Sequence, residues 1–313
     1  MDRVFTNVGL VRCPDYEPQI LLQAFQQLTE ACPVKLNLRS ADVVLKPNLI
    51  SARKNSLACT EGRFIQAAAT WFLDHGARVT VGDSPAFGTS RTVLAKINIL
   101  HTLRGMGIRI TDFMETEPVV LPSGLKTGLA RDALNSDLLV NLPRVKAHAQ
   151  LRVTLAVKNY FGCVVGMRKP MWHMRYGGRK GCFTRYLVEI LSMLPPSMTF
   201  VDGITAMHRT GPIGGEPFQL AVVACSENPV ALDRVMLEIL DVAPHASPLL
   251  QACMAAGLTG TDIENIVFPL CHPLELKTWD FQVPEKLNPI RFNPARFVYN
   301  NIRRCLLRQK IFH

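Results

Sequence analysis

Short β-branched runs alternate with stretches of helical spacing along most of this chain, and that alternation leaves few architectures open. ADVVLKPNLI reads as a strand from Val43 to Leu49, and TEGRFIQAAATWFLDHG as a helix with Thr60 as N-cap, Glu61 in the first turn and Gly76 as its stop. ARVTVGDSP is the next strand. Thr89 or Ser90 then caps a helix reaching Leu103. IRITDF, DLLVNLPRV, MTFVDGI, LAVVACS and NIVFPL continue the strand series. Asn228 followed by Pro229 is a helix start, and ALDRVMLEIL has helical spacing. Strands alternating with helices predict an α/β fold with a largely parallel sheet, or sheets, flanked by helices. The core is expected over residues 1–278, in one lobe or two. A basic C-terminal tail, helical in part, follows over 279–313.

In open α/β sheets ligands bind beyond the carboxyl ends of the strands. The polar residues ending the strands here are Lys46, Asn48, Asp83, Ser84, Arg144, Lys146, His148 and Asp202.

The charge is unevenly placed. The chain carries 35 Lys and Arg against 25 Asp and Glu over 313 residues, a net charge of +10. Between Asp137 and Glu189 there is no acidic residue, while ten Lys and Arg fall in that window. The tail adds five net positive charges, so the remaining body is mildly acidic. If Leu151 to Phe161 is helical, Thr154 and Lys158 stack at i, i+4 beside Asn159 and near Lys146 and His148. A face with one hydroxyl and one ammonium, close to Lys146 and His148, suits a phosphate or carboxylate. A solvated helix face normally mixes signs to form i, i+4 ion pairs, and none can form in this window.

Other classes are excluded or disfavoured. The nine cysteines are scattered with no C-x-x-C, so no zinc ribbon, redox pair or cluster-binding loop is expected. The N-terminus lacks a secretory apolar region and no 18-residue apolar run exists, so a cytoplasmic location is expected. No P-loop or G-x-G-x-x-G turn occurs. The glycine-rich VDGITAMHRTGPIGGEPF is an alternative lining for an anion site, with His208 and Arg209 in reach of a ligand.

Five pieces in order, VVLKPNLI, CTEG, VTVGDSPAFG, DLLVNLPRVKAHAQLRVTLAVKNYFGCVVG and VDGITAMHRTGPIGGEP with SENPVALDRV, resemble the family called domain of unknown function 362. The resemblance spans about Val43 to Val235. Many members carry a ferredoxin-like module with two four-iron clusters. This chain lacks those cysteines, so no iron–sulfur cluster is expected. Lys158 and His173, 15 residues apart around a VVG turn, are also distantly similar to nickel-pincer lactate racemases. That resemblance implies Lys158 as the cofactor's attachment point, His173 as a nickel ligand, and His148 or His208 as a proton-transfer base.

Three functions follow as expectations. The first is an enzyme acting on a small anionic substrate, with His148, Lys146 and Lys158 catalytic and Lys46, Asn48, Asp83, Thr154, Asn159, Asp202 and His208 binding. The second is a metal-cofactor racemase or epimerase holding its cofactor through Lys158 and His173. The third is a membrane-surface or partner-binding protein acting through the tail, where Val298, Ile302, Cys305 and Leu306 form an apolar stripe beside Arg303, Arg304 and Arg308. Nucleic acid is disfavoured, because the basic stretch lacks regular aromatic interleaving. Substrate, reaction and oligomeric state stay open.

Overall fold

The computed structural model describes residues 5–51, 56–166, 168–176 and 181–288. Nine strands form one sheet: β1 (Gly9–Arg12), β2 (Asp42–Pro47), β3 (Arg78–Asp83), β4 (Arg109–Asp112), β5 (Leu138–Leu142), β6 (Arg144–His148), β7 (Arg152–Thr154), β8 (Ser197–His208) and β9 (Glu216–Ser226). Parallel pairings join β4 to β3, β3 to β2, β2 to β5 and β5 to β8. Past Pro143, β6 continues beside the second half of β8, also parallel. The pairs β8–β9, β9–β1 and β6–β7 are antiparallel. The expected α/β plan with a largely parallel sheet is therefore present.

Alternation along the strands divides the apolar side chains between two faces. Val43, Leu45, Val79, Val81, Leu138 and Val140 join Phe25 of α1 (Pro18–Ala31) and Phe64 and Phe72 of α2 (Gly62–Asp74) in one core. Val44 and Leu139 face the other, shared with α3 (Ala156–Asn159), α4 (Arg168–Tyr176), α5 (Cys182–Glu189) and α6 (Pro229–Ile239). Both faces are covered by helices, as a buried parallel sheet requires.

Several boundaries differ from the sequence reading for identifiable reasons. Glu61, not Thr60, caps α2, accepting from the Arg63 N–H at 2.5 Å. Thr60 is fully buried instead. Its hydroxyl donates to the Leu142 carbonyl at 2.6 Å and accepts from the Asn48 N–H at 2.8 Å, tying the ends of β2 and β5 together. The helix capped by Thr89 stops at Lys96, because Asn98 adopts a left-handed φ of 59° before a second helix over Leu100–Gly105. Asn228 and Pro229 start α6 as expected, the side-chain Oδ1 of Asn228 accepting from the Val230 and Ala231 N–H groups.

The larger correction concerns 151–161. Arg152 takes φ 67°, its guanidinium held by the Ala246 and Pro284 carbonyls at 3.0 and 2.7 Å. Val153 and Thr154 then pair with β6, so Thr154 lies on a strand opposite Lys146 rather than one helical turn from Lys158. The helix starts only at Ala156, where the buried Asp233 carboxylate accepts from its N–H at 2.7 Å. Strand pairing and this carboxylate override the local helical spacing. The tail stripe, Val298 to Leu306, lies outside the described residues.

Asp202, expected as a ligand residue, is committed to the fold. It accepts from Tyr16 Oη at 2.7 Å and the Glu61 N–H at 3.0 Å, and its Oδ2 lies 3.7 Å from Arg144 Nε. Arg144 also donates to the Thr205 and Cys59 carbonyls. The carboxylate is fully buried and the guanidinium nearly so. Removing one partner of such a pair strands the other charge. Asp202→Ala is expected to lower unfolding stability by about 3–5 kcal/mol, read from urea midpoints, whereas a surface pair such as Arg78–Asp42, severed by Asp42→Ala, shifts it by about 1 kcal/mol or less.

Candidate functional site

Seven of the eight strand-end residues named from the sequence line one cavity of about 340 Å³; Asp202 does not. Thr154, Lys158, Asn159 and His173 reach the same cavity from the segment after β6. Of the glycine-rich loop only Pro212 lines it. His208 packs instead among the Phe218 and Phe281 rings, with its Nδ1 buried and without a partner.

The floor is built at the end of β2. Lys46 has no exposed surface, and its Nζ lies 3.1 Å from Asp83 Oδ1 on β3. The other Asp83 oxygen accepts from the Leu49 N–H at 2.8 Å. Gly162 sits directly over this pair. A Cβ there would collide with Lys46 Nζ and Asp83 Oδ1, so only glycine lets the backbone approach. An amide ladder fixes the neighbouring wall. Asn48 Nδ2 donates to Asn159 Oδ1, and Asn159 Nδ2 to Asn141 Oδ1, each at 2.8 Å. Asn141 Nδ2 in turn reaches the Ala156 carbonyl at 3.1 Å.

Four ammonium groups converge here, and Asp83 is the sole carboxylate among the described lining residues. Lys146 donates to Asn48 Oδ1 and, at 2.8 Å, to the Ala58 carbonyl. Burial pushes its ammonium down to about 7, with the positive Arg144 and Lys46 adding to that. Lys169, on α4, donates to the Ser84 carbonyl at 2.7 Å and to the Ser84 hydroxyl. Lys158, on α3, is partly accessible, and its Nζ lies over the Phe161 ring, 3.8 Å from the centroid. Burial, then Lys169, Lys146 and Lys46, hold its ammonium well below the usual lysine range.

The two histidines are neutral. His148 is lowered well below its ordinary value by burial, then by Lys158 and Lys146. Its Nδ1 accepts from the Gln150 and Leu151 N–H groups at 3.1 and 3.3 Å. That assignment puts the ring proton on Nε2. In this tautomer His148 carries a donor at Nε2. His173 is lowered to about 3 by burial, Lys158 and Lys169. Its Nδ1 is buried without a partner, and its ring sits 4.5 Å from Phe183 and 5.6 Å from Phe161, centroid to centroid. Cationic neighbours repel a metal ion, and no group of three His, Cys, Asp or Glu that could hold one exists among the described residues. The donors around His173 therefore do not fit a bare nickel ion. Thr154 Oγ1 is buried in the lining with no hydrogen-bond partner.

Three contributors were not singled out as site residues from the sequence. Lys169 stood in the acid-free window but carried no spacing signal. Asn141 lies inside an apolar run, which hides it. Asp233 sits on α6, far along the chain, and caps the helix that carries Lys158; burial raises its carboxyl to about 8 although two backbone N–H groups favour the anion.

Comparison with known proteins agrees with the motif reading. The family model described as Domain of unknown function (DUF362) matches residues 43–238. A thylakoid-associated protein of Synechocystis sp. is 34% identical over 306 residues, covering 96% of this chain and 95% of that protein. Among solved structures, the lactate racemase apoprotein from Thermoanaerobacterium thermosaccharolyticum aligns at 11% identity and a TM-score of 0.48, over 76% of this chain and 58% of that one. A Thermotoga maritima protein aligns at 10% identity and a TM-score of 0.43, over 79% and 61%. The chain thus spans less than two thirds of either solved protein.

Lys146 also gives the native state a pH signature. Between about 7 and the ordinary 10.5 an unfolded Lys146 holds a proton that the folded one lacks. Stability from this group therefore rises with pH across that window, by up to about 1.4 kcal/mol per pH unit, and is least at and below 7. Urea unfolding at pH 7 and 9.5 should show that Lys146→Met rises less over the interval than wild type; equal rises would place the titration elsewhere.

Proposed function

The chain belongs to the DUF362 family, and from that premise we propose that it is an enzyme whose cavity binds a small carboxylate or phosphate compound. One observation carries this reading: Lys46, Lys146, Lys158 and Lys169 share a cavity of about 340 Å³ in which the one carboxylate among the described lining residues, Asp83, is already engaged by Lys46 and the Leu49 N–H. An anion would restore the charge balance that the lining lacks. It would also receive hydrogen bonds from the Thr154 hydroxyl, His148 Nε2 and the remaining Lys146 N–H. The size suits a molecule of a few carbons rather than a polymer.

Lys146 is then the coupling group. An anion beside it favours the ammonium, so binding above pH 7 takes up a proton. Isothermal titration of sulfate, inorganic phosphate and small carboxylates at pH 8, in two buffers of different ionisation enthalpy, tests this. The expected result is a buffer-dependent heat signalling proton uptake, and an affinity lowered about tenfold or more by Lys146→Met, roughly 1.4 kcal/mol. No binding by wild type, or binding indifferent to Lys146→Met, counts against the reading.

A second reading concerns location. The Synechocystis relative is named as thylakoid-associated, and the tail over 279–313 of this chain carries a net charge of +5. No helix among the described residues is long and apolar enough to cross a membrane. We propose a cytoplasmic-side chain that touches anionic lipid through this tail by charge and apolar contact. Co-sedimentation with anionic vesicles should fall on raising salt and on deleting residues 291–313; binding unchanged by the deletion would remove the tail from the account.

A further inference from the structure

The four lysines of the cavity are not equivalent. Lys46 is fixed by Asp83 and the Pro47 carbonyl. Lys146 is fixed by Asn48 and the Ala58 carbonyl, and Lys169 by Ser84. Among the four, only the Lys158 side chain makes no hydrogen bond and no ion pair with a described residue. Its Nζ stands 3.8 Å from the centre of the Phe161 ring and 5.3 Å from that of Phe183. An amine meant to hold an anion by charge would be expected to sit like its neighbours, among polar partners. This one lies over aromatic rings, and burial with three lysines nearby favours its uncharged form. A desolvated lysine next to other cations is a nucleophile at neutral pH.

The groups around it match that role. Thr154 Oγ1 is buried in the same lining and has no partner, and His148 presents Nε2–H. Both are placed to donate to an oxygen rather than to accept a proton. α3 is pinned at its start by Asp233, which fixes Lys158 within the cavity wall.

We propose that Lys158 forms a Schiff base with a small anionic carbonyl compound, an α-keto acid or an aldehyde acid, held by the neighbouring ammonium groups. This rests on the anion-site reading and adds a carbonyl to it. The Lys158 nitrogen adds to the carbonyl carbon, and one of its protons passes to the former carbonyl oxygen, giving a carbinolamine. The C–O bond then breaks, the oxygen leaving as water with a second proton, and a C=N bond stands where the C=O was. One water is released and nothing is oxidised or reduced.

The experiment traps that bond. The full-length protein is incubated at pH 7.5 with pyruvate in one arm and glyoxylate in the other, then treated with borohydride, which reduces the imine to a stable secondary amine. The expected result in at least one arm is a single adduct per chain, with the mass of the carbonyl compound, as its free acid, less one oxygen, mapped to the peptide holding Lys158. Excess inorganic phosphate should suppress it. Lys158→Met and the charge-preserving Lys158→Arg, each shown to be folded by a cooperative urea transition, should both lose it. Wild type that binds phosphate but gives no adduct in either arm overturns the Schiff base and leaves the anion site standing. An adduct mapped to another lysine overturns it equally. Wild type that binds no anion overturns both.

Discussion

The contact between Lys46 and Asp83 is the constraint on which the rest of the site depends. It joins the ends of two neighbouring parallel strands, is closed to solvent, and lies under a glycine that has no room for a side chain. Buried ion pairs seldom stabilise a fold better than apolar residues of the same volume would. Its value here is in what it leaves over. By committing the one carboxylate in the lining, it leaves Lys146 and Lys158 without a counter-charge inside a cavity they cannot quit, since their backbones belong to the sheet and to the helix following it.

The consequences are electrostatic. A lysine deprived of water and faced with other cations gives up its proton more readily. Lys146 comes down to about 7 and Lys158 well below its usual range, while both histidines are held neutral. The same crowding that makes the empty cavity costly makes a bound anion stabilising. Thr154 Oγ1 and His173 Nδ1 are buried in the lining without a hydrogen-bond partner among the described residues, and the tautomer assigned to His148 leaves it an Nε2–H donor, whereas the amides of Asn48, Asn159 and Asn141 are already bonded to one another and to their neighbours. The ladder positions; the donors and lysines are left for a ligand.

Much of this was legible in the residue order. Lys46, Asn48, Asp83, Lys146 and His148 follow apolar runs, and the rule that ligands gather at the carboxyl ends of parallel strands brings them together. The acid-free window identified which loop would face them. What was not legible came from long-range pairing. Thr154 and Lys158 have helical spacing, yet β6 captures the first as a strand residue and Asp233, distant in sequence, delays the helix of the second. Asp202 ends an apolar run just as Asp83 does, and only the position of Tyr16, far upstream, turns it into a strut for Arg144. His148 looked like a base by its company. The two backbone N–H groups that occupy its Nδ1 depend on a turn geometry that residue identity does not reveal.

The central claim is that the cavity holds lysines short of counter-charge, one of which titrates near neutrality until an anion arrives. Heteronuclear NMR of the lysine Cε and Nζ resonances in isotopically labelled protein, followed against pH with and without sulfate, measures this directly. The account predicts a resonance, assigned to Lys146 by its loss in Lys146→Met, that titrates near 7 in the free protein and moves upward when sulfate is present. Lysine resonances that all titrate above 10, unaffected by sulfate, would contradict it.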